Sequence, residues 1–430
     1  MNSQLNPPLQ FLEKWFTIFS LFFLTEALRF ASLYVDPDPK ADAAPTSNPL
    51  DPVMSLLQFG IYAVTIFLLL SRSKSSIRTA IRSPIVWFLP VMALMSFLWS
   101  DFSALSLQKG ITTIQTTYFG VYMASRFSLK QQLQMLAWTL GIVAILSVLF
   151  TLGFPGAGIE AGANAGAWRG PFAQKNVLAR LAVLGAIVFL LLALDSRRHR
   201  YWLWGGLSLS VLLILMTGSK TALLLFLTIV TLLPLYKALR RKDTIVIPLV
   251  ITLVLFVGSI ALIIVGNWEN ILFGLGRDPT LSGRTTLWEV AIDKIAERPW
   301  LGYGYQGFWQ EGGGAEVIWQ AEGYKPPHAH NGFINMALDL GLIGLFLFLM
   351  TIVVTYLRAI PWLRSGKTTI ELWPIFYVTF FFMYNTSENT IIAHNSIFWA
   401  LLIAVSLSIK RTTVIPLNEI ATNHKRIEYI

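Results

Sequence analysis

Apolar runs of about twenty residues recur along almost the whole of this 430-residue chain, each closed by a polar segment. A run of that length crosses the hydrocarbon core of a bilayer as a helix, where every backbone N–H and C=O must find its partner within the segment. The pattern predicts an all-α polytopic membrane protein and excludes an ordinary soluble domain. Composition agrees: 55% of residues are hydrophobic and only 13% are charged, against roughly 25% charged in soluble proteins. Mean hydropathy is +0.60. The chain has no cysteine, which excludes disulfides, thiolate zinc sites and a cysteine nucleophile.

Taken in order, the apolar windows predict about twelve spans. They lie near Trp15–Val35, Val53–Leu70, Pro84–Trp99, Gly110–Ala124, Leu133–Leu152, Asn176–Leu194, Tyr201–Met216, Thr221–Tyr236, Thr244–Gly266, Phe333–Leu357, Leu372–Tyr384 and Ser396–Ile409. The first carries no cleavable signal pattern and is expected to stay in the protein. The chain thus divides into residues 1–266 (spans one to nine with short loops), 267–332 (a large loop with an amphipathic helix), 333–411 (spans ten to twelve) and 412–430 (a tail).

The net charge of +10 is explained by membrane orientation rather than by nucleic acid. Alternate connections and the tail hold 20 of the 33 basic residues, although the connections on the opposite side are longer. The dense side is expected to be cytoplasmic, with both termini there. The large loop, the Gly/Ala-rich segment before span six and the Gly218–Lys220 turn then share the outer face. No strong internal repeat of the kind many transporters carry is visible.

The large loop is too long and too rich in aromatics to be a plain connector. Within it, Thr285–Glu297 reads as an amphipathic helix ended by Pro299, with Leu287, Ala291 and Ile295 on one face. Arg284 stands at its N-terminus, where a positive dipole end suits a phosphate; a surface ion pair is the plainer alternative. The glycine-rich stretch after Pro299 reads as a structured loop packing Tyr303, Tyr305, Phe308 and Trp309, not as a nucleotide fingerprint. The segment PPHAHNGF then places His328, His330 and Asn331 at the outer edge of span ten. An imidazole with its ordinary pKa near 6.5 suits a general base there. A metal ligand and a plain interfacial histidine remain alternatives.

Further cations stand on the same face against the positive-inside trend. Lys220 opens span eight, Arg169 and Lys175 precede span six, and Asn176 and Arg180 are spaced to share a helix face within it. An arginine about one turn inside a span calls for a cavity or a partner. An anionic ligand would account for the group, and snorkelling to outer-leaflet phosphates is the alternative. Asp36-Pro37-Asp38 spells DxD but lies away from any cytoplasmic nucleotide-sugar.

Four motifs in this order, WRGPFAQKNVLA, GSKTA, TLSGRTTLWEVAIDKIAERPWLGYGYQGFW and PPHAHNGFINMALDLGLIGL, resemble the O-antigen ligase and polysaccharide polymerase superfamily. They are most similar to its exopolysaccharide polymerase branch. The resemblance implies a GT-C-like fold in the bacterial inner membrane, with the large periplasmic loop between spans nine and ten. It implies an inverting, metal-independent glycosyltransferase without cofactors, whose partners are an undecaprenyl-diphosphate-linked oligosaccharide, an acceptor glycan, membrane lipids and a chain-length regulator protein. By matching motifs, His330 would be the base on the acceptor hydroxyl and Arg284 a diphosphate ligand. Lys220 stands where the ligases usually carry arginine; it keeps the charge without the bidentate fork, which favours the polymerase branch. Physical reasoning agrees, because a diphosphate leaving group needs cations such as Lys220, Arg284 and Arg180, and the acceptor needs a base. A ligase acting on lipid A-core and a flippase of lipid-linked oligosaccharide are the competing functions.

Overall fold

In the computed structural model, the described residues are 7–35, 48–196, 199–239, 284–323 and 325–409, apart from the side chains of Pro7, Ala163 and residues 284–286. The architecture is helical: no strand occurs among these residues, only an isolated antiparallel bridge between Ile159 and Trp168. In chain order the helices are α1 (Pro7–Phe23), α2 (Asp51–Ser71), α3 (Ser73–Ala80), α4 (Ile85–Met95), α5 (Ser103–Arg126), α6 (Leu129–Gly153), the single turn α7 (Pro155–Gly158) and α8 (Lys175–Asp195). They continue with α9 (Arg200–Met216), α10 (Lys220–Ala238), α11 (Arg284–Glu297), α12 (Glu316–Glu322), α13 (Gly332–Ser365), α14 (Trp373–Tyr384) and α15 (Ile397–Ser408).

A helix lies over each predicted span except the ninth, which falls outside the described residues. The expected count of twelve is not confirmed. Among the described residues, five helices are long and apolar enough to cross a membrane, and seven if two bent pairs each count as one span. The helices α9 and α15 are apolar but shorter, as is α14 even with the 3-10 turn before it. Physical reasons are visible for the shortfall. α14 and α15 are buried among other helices, so their length is not set by the bilayer. α5 is long but turns Thr112, Thr113, Thr116 and Thr117 inward, where their hydroxyls bond to carbonyls of their own helix.

Two spans differ from expectation in shape. The window Trp15–Val35 is not one helix: α1 ends at Phe23, and two 3-10 turns follow at 66° to it. The break falls at Glu26 and Phe30, both with left-handed backbone (φ 65° and 44°). Span ten is also broken, at Gly341 (φ 66°, ψ −172°). A side chain cannot take that conformation cheaply, and a Cβ there would sit 2.2 Å from the Trp300 carbonyl oxygen.

α8 is the most enclosed of the long apolar helices, 83% of its most apolar window being buried against 17% for α2. It packs on α6, α9, α10 and α14, while α5 holds α2, α4 and α15. α2 leaves Leu56, Phe59, Phe67 and Leu70 bare, an apolar surface suited to lipid. Lipid is as apolar as these side chains, so the bundle gains from close packing and interhelical hydrogen bonds rather than from leaving water.

The segment after α11 docks on the bundle through specific bonds. Leu342 N–H donates to Pro299 O at 2.7 Å and Tyr303 N–H to Leu338 O at 2.8 Å, which uses the backbone groups freed by the break at Gly341. Gly302 (φ 67°) fits beneath, where a Cβ would meet the same Leu338 oxygen at 2.5 Å. Tyr305 is fully buried; Ser106 Oγ donates to its carbonyl and its hydroxyl donates to Ile392 O. The predicted face of α11 is real: Leu287 and Ala291 pack with Tyr303, Phe308, Ile318 and Leu338 in a small core of their own.

Candidate functional site

Three polar segments meet at one end of the bundle: residues 328–331, the start of α8, and residues 385–396 between α14 and α15. His330 precedes α13, and Asn331 caps that helix by accepting from Phe333 N–H and Ile334 N–H. His330 itself is left-handed (φ 49°), a conformation that costs a non-glycine residue about 1–3 kcal/mol. Its N–H donates to His328 Nδ1 at 3.2 Å, and the two rings meet edge to face at 4.4 Å. Ala329 between them is buried, and its carbonyl accepts Trp288 Nε1 from α11 at 2.8 Å. The large loop thus holds the histidine pair by its backbone.

His330 Nδ1 lies 3.8 Å from a carboxylate oxygen of Glu388 and has no hydrogen-bond partner among the described residues. The other Glu388 oxygen accepts Asn176 Nδ2 at 2.7 Å. Tyr384 Oη donates to Asn176 O, and its ring stacks on Phe398. One turn further along α8, the Arg180 guanidinium lies over the same Phe398 ring at 5.3 Å, with its Nε buried and unpartnered among the described residues. His328, His330, Asn331, Asn176 and Arg180 are therefore brought into one neighbourhood, with Glu388 at its centre.

The other candidates are placed differently. Lys220 is exposed as the first residue of α10, whose N-cap is Ser219. That turn is tied to the Gly/Ala-rich segment, since Trp168 N–H donates to Met216 O at 2.9 Å. Lys175 donates through Nζ to Asn164 and through its backbone N–H to Glu160, at 2.8 and 2.6 Å. Burial raises the Glu160 carboxyl above the ordinary range, opposed by these Lys175 contacts and by Arg169. Arg284 is the first residue of α11, and its side chain lies outside the described residues. Arg169 departs from the ligand-facing expectation. It is 1% exposed, and its guanidinium donates to the carbonyls of Ala157, Ala173, Ser32 and Val35. A planar five-donor fork suits such a task, and it ties the chain after α1 to the segment before α8.

Glu388 was not singled out from sequence. The signal was present: NTSENTIIAHNS is a polar stretch between two apolar windows, with one acid close to a span. What could not be read is its partner, because Glu388 and Asn176 are 212 positions apart. The same loop brings His394, whose Nε2 meets Lys109 Nζ at 2.9 Å. Burial, then the charges of Lys109 and Arg29, push the His394 imidazole down to about 3.

This arrangement offers a base whose orientation a carboxylate can fix. A proton on Nδ1 would face Glu388 and leave the Nε2 lone pair to take a proton from a hydroxyl. His328, His330 and Glu388 could also hold a divalent cation, one ligand atom from each lying within 4.8 Å of the others.

Comparison with known proteins converges on one group. Residues 205–349, which run from α9 into α13, match the family model described as O-antigen ligase. The exopolysaccharide production protein ExoQ of Rhizobium meliloti (strain 1021) is 27% identical over 309 residues, covering 67% of this chain and 68% of ExoQ. A protein named "Putative polysaccharide ligase" in Rickettsia conorii (strain ATCC VR-613 / Malish 7) is 36% identical over 95 residues, 21% of this chain and 23% of its own length. Its counterpart in Rickettsia felis (strain ATCC VR-1525 / URRWXCal2) is 31% identical over 97 residues, 22% of this chain and 24% of its own.

Proposed function

We propose, from the similarity of residues 205–349 to the O-antigen ligase family model and of two thirds of the chain to ExoQ, that this membrane protein polymerises glycan carried on undecaprenyl diphosphate at the outer face of the inner membrane. The observation that carries the reading is His330: a strained histidine beside a carboxylate, in a polar neighbourhood at the end of an apolar bundle. In the reaction, His330 Nε2 takes the proton of an acceptor hydroxyl. The oxygen attacks the anomeric carbon from the face opposite the diphosphate. The bond from that carbon to the diphosphate oxygen breaks, its electron pair leaves with the diphosphate, and the configuration inverts. Glu388 holds the imidazole that has become positive. Arg180, Arg284 and Lys220 meet the charge that develops on the leaving group. No metal takes part, because cations from side chains supply that stabilisation.

The polymerase reading is favoured over transfer to a lipid A-core because the ExoQ match spans two thirds of both chains, whereas the Rickettsia ligase matches span under a quarter of either. A flippase would need polar lining through the bundle. The test is reconstitution in proteoliposomes with the lipid-linked repeat unit of the producing strain. Longer glycans with release of undecaprenyl diphosphate are expected, unchanged by EDTA. Lipid movement across the bilayer without glycan joining would overturn the reading, and loss of joining in EDTA would replace the metal-free mechanism by a cation held at His328, His330 and Glu388.

A further inference from the structure

Two cavities of about 300 and 420 Å³ open around the chain after α1, between the starts of α2, α5 and α8, both in the size range of ligand sites. They share Glu26, Arg29 and Asp51 as a common wall, so they form one groove. Its far part lies between the breaks after α1, the start of α2, the start of α5 and residues 394–395. Its near part is walled by Ala173 and Val177, which flank Lys175 and Asn176 in the chain. Asn176 in turn donates to Glu388, the residue facing His330.

The wall chemistry narrows the occupant. Three amide side chains, Gln58, Gln108 and Asn395, line the far part beside Glu26, Arg29, Asp51 and Lys109. Asn395 Nδ2 donates to Gln58 Oε1 and Tyr62 Oη donates to Asn395 Oδ1, so the asparagine is fixed. The Gln58 NH2 and the whole Gln108 amide have no hydrogen-bond partner among the described residues. Lys109 is half-buried, with a neutral imidazole as its hydrogen-bond partner and no carboxylate within ion-pair distance among the described residues. His394 Nδ1, behind it, is buried without a partner among the described residues. Unspent amides, an ammonium and carboxylate acceptors side by side match a ring of hydroxyls, each of which both donates and accepts. A diphosphate does not fit this wall. The Arg29 guanidinium is already paired with Asp51 at 2.6 Å, and Glu26 and Asp51 would repel a dianion. The polar lining of the far part does not suit a lipid tail.

We infer that this groove is an oligosaccharide subsite that holds the acceptor glycan and delivers its terminal hydroxyl toward His330, with Gln58, Gln108, Lys109 and Asn395 as its recognition residues. The inference deepens the glycan-joining reading and rests on it. Lys220, expected to meet the lipid diphosphate, begins α10 and does not line the groove.

The test uses the full chain in lipid nanodiscs, titrated calorimetrically with the repeat-unit oligosaccharide freed of lipid and phosphate. Ser55→Trp, which fills the far cavity, and Lys109→Met should each weaken binding at least about tenfold. In turnover they should raise KM for the acceptor while kcat and KM for the lipid-linked donor stay within about twofold. Gln58→Ala, a milder truncation, should weaken binding in the same direction if Ser55→Trp proves unstable. His330→Ala should bind the oligosaccharide as the unaltered chain does, so the titration decides the groove even if joining is never observed. Unchanged affinity in a stably folded Ser55→Trp protein would overturn the inference. So would displacement of the oligosaccharide by inorganic pyrophosphate, or a rise in donor rather than acceptor KM.

Discussion

Two polar clusters near opposite ends of the helix bundle treat their charges in opposite ways. At one end, Glu13 is buried and accepts from Arg72 at 2.8 Å and from Arg126 at 2.9 Å, tying α1 to the end of α2 and the end of α5. Tyr122 and Thr17 complete that network, so its ionised groups have each other. At the other end, His330 Nδ1 and Arg180 Nε are buried without partners among the described residues, and Lys109 meets only a neutral ring among them. A saturated cluster is a fastening, since nothing is left over to bind a ligand. Unspent polar groups cost stability, and they persist where a ligand completes them. The difference separates a structural cluster from a candidate working site without reference to which side of the membrane either faces.

The largest effect expected is at the candidate working site. His330→Ala should lower glycan joining by at least about 100-fold, read as loss of the polymer ladder from lipid-linked repeats, with the melting temperature nearly unchanged. Full activity in that variant would break the comparison at its centre. Glu13→Ala is the opposite case. It leaves two arginines without their shared carboxylate and should cost about 2 kcal/mol, less than a fully buried pair because both arginines are partly solvated. The loss should appear as a lower melting temperature in detergent, with activity per folded molecule retained. Glu388→Gln should reduce kcat about tenfold and flatten its pH profile, while Glu388→Asp restores part of both. A purely structural role would move the melting temperature and leave the pH profile alone.

The smallest effect concerns His394. Its imidazole is pushed down to about 3 in the fold, while the unfolded chain titrates near the ordinary value of about 6.5. Between those values the unfolded state binds more protons, so stability rises with pH and is lost as pH falls from about 6.5 toward 3. Acidification should therefore lower the melting temperature of the unaltered protein more than that of His394→Gln. An equal response in both proteins would show that the ring is solvated rather than enclosed.

Much of the helix layout could be read from the chain. The windows that predict spans six, seven and eight lie within a residue or two of α8, α9 and α10, since an apolar run bounded by charge leaves little freedom in where a helix starts. The amphipathic face of α11 and its end before Pro299 were equally legible, because a period of 3.6 and a helix breaker are local signals. The histidine pair was legible as chemistry because it is polar where its neighbours are apolar. The fate of Arg169 was not: its four carbonyl partners come from three separate segments of chain. Nor was the break at Gly341, which exists because residues 299–303 dock onto it.

The sequence by itself determined that this protein is a set of apolar helices carrying a polar loop, and which residues have the means to do chemistry. Hydropathy, helical period and residue type are properties of short stretches, so no folded structure is needed to read them. Only the tertiary structure decided that His330 faces Glu388, that Arg169 is consumed in scaffolding, and that Gln58, Lys109 and Asn395 line one groove. Those facts depend on contacts across up to 337 positions of chain. Packing sets such contacts between helices, and no local pattern encodes which polar residues will be left without a partner.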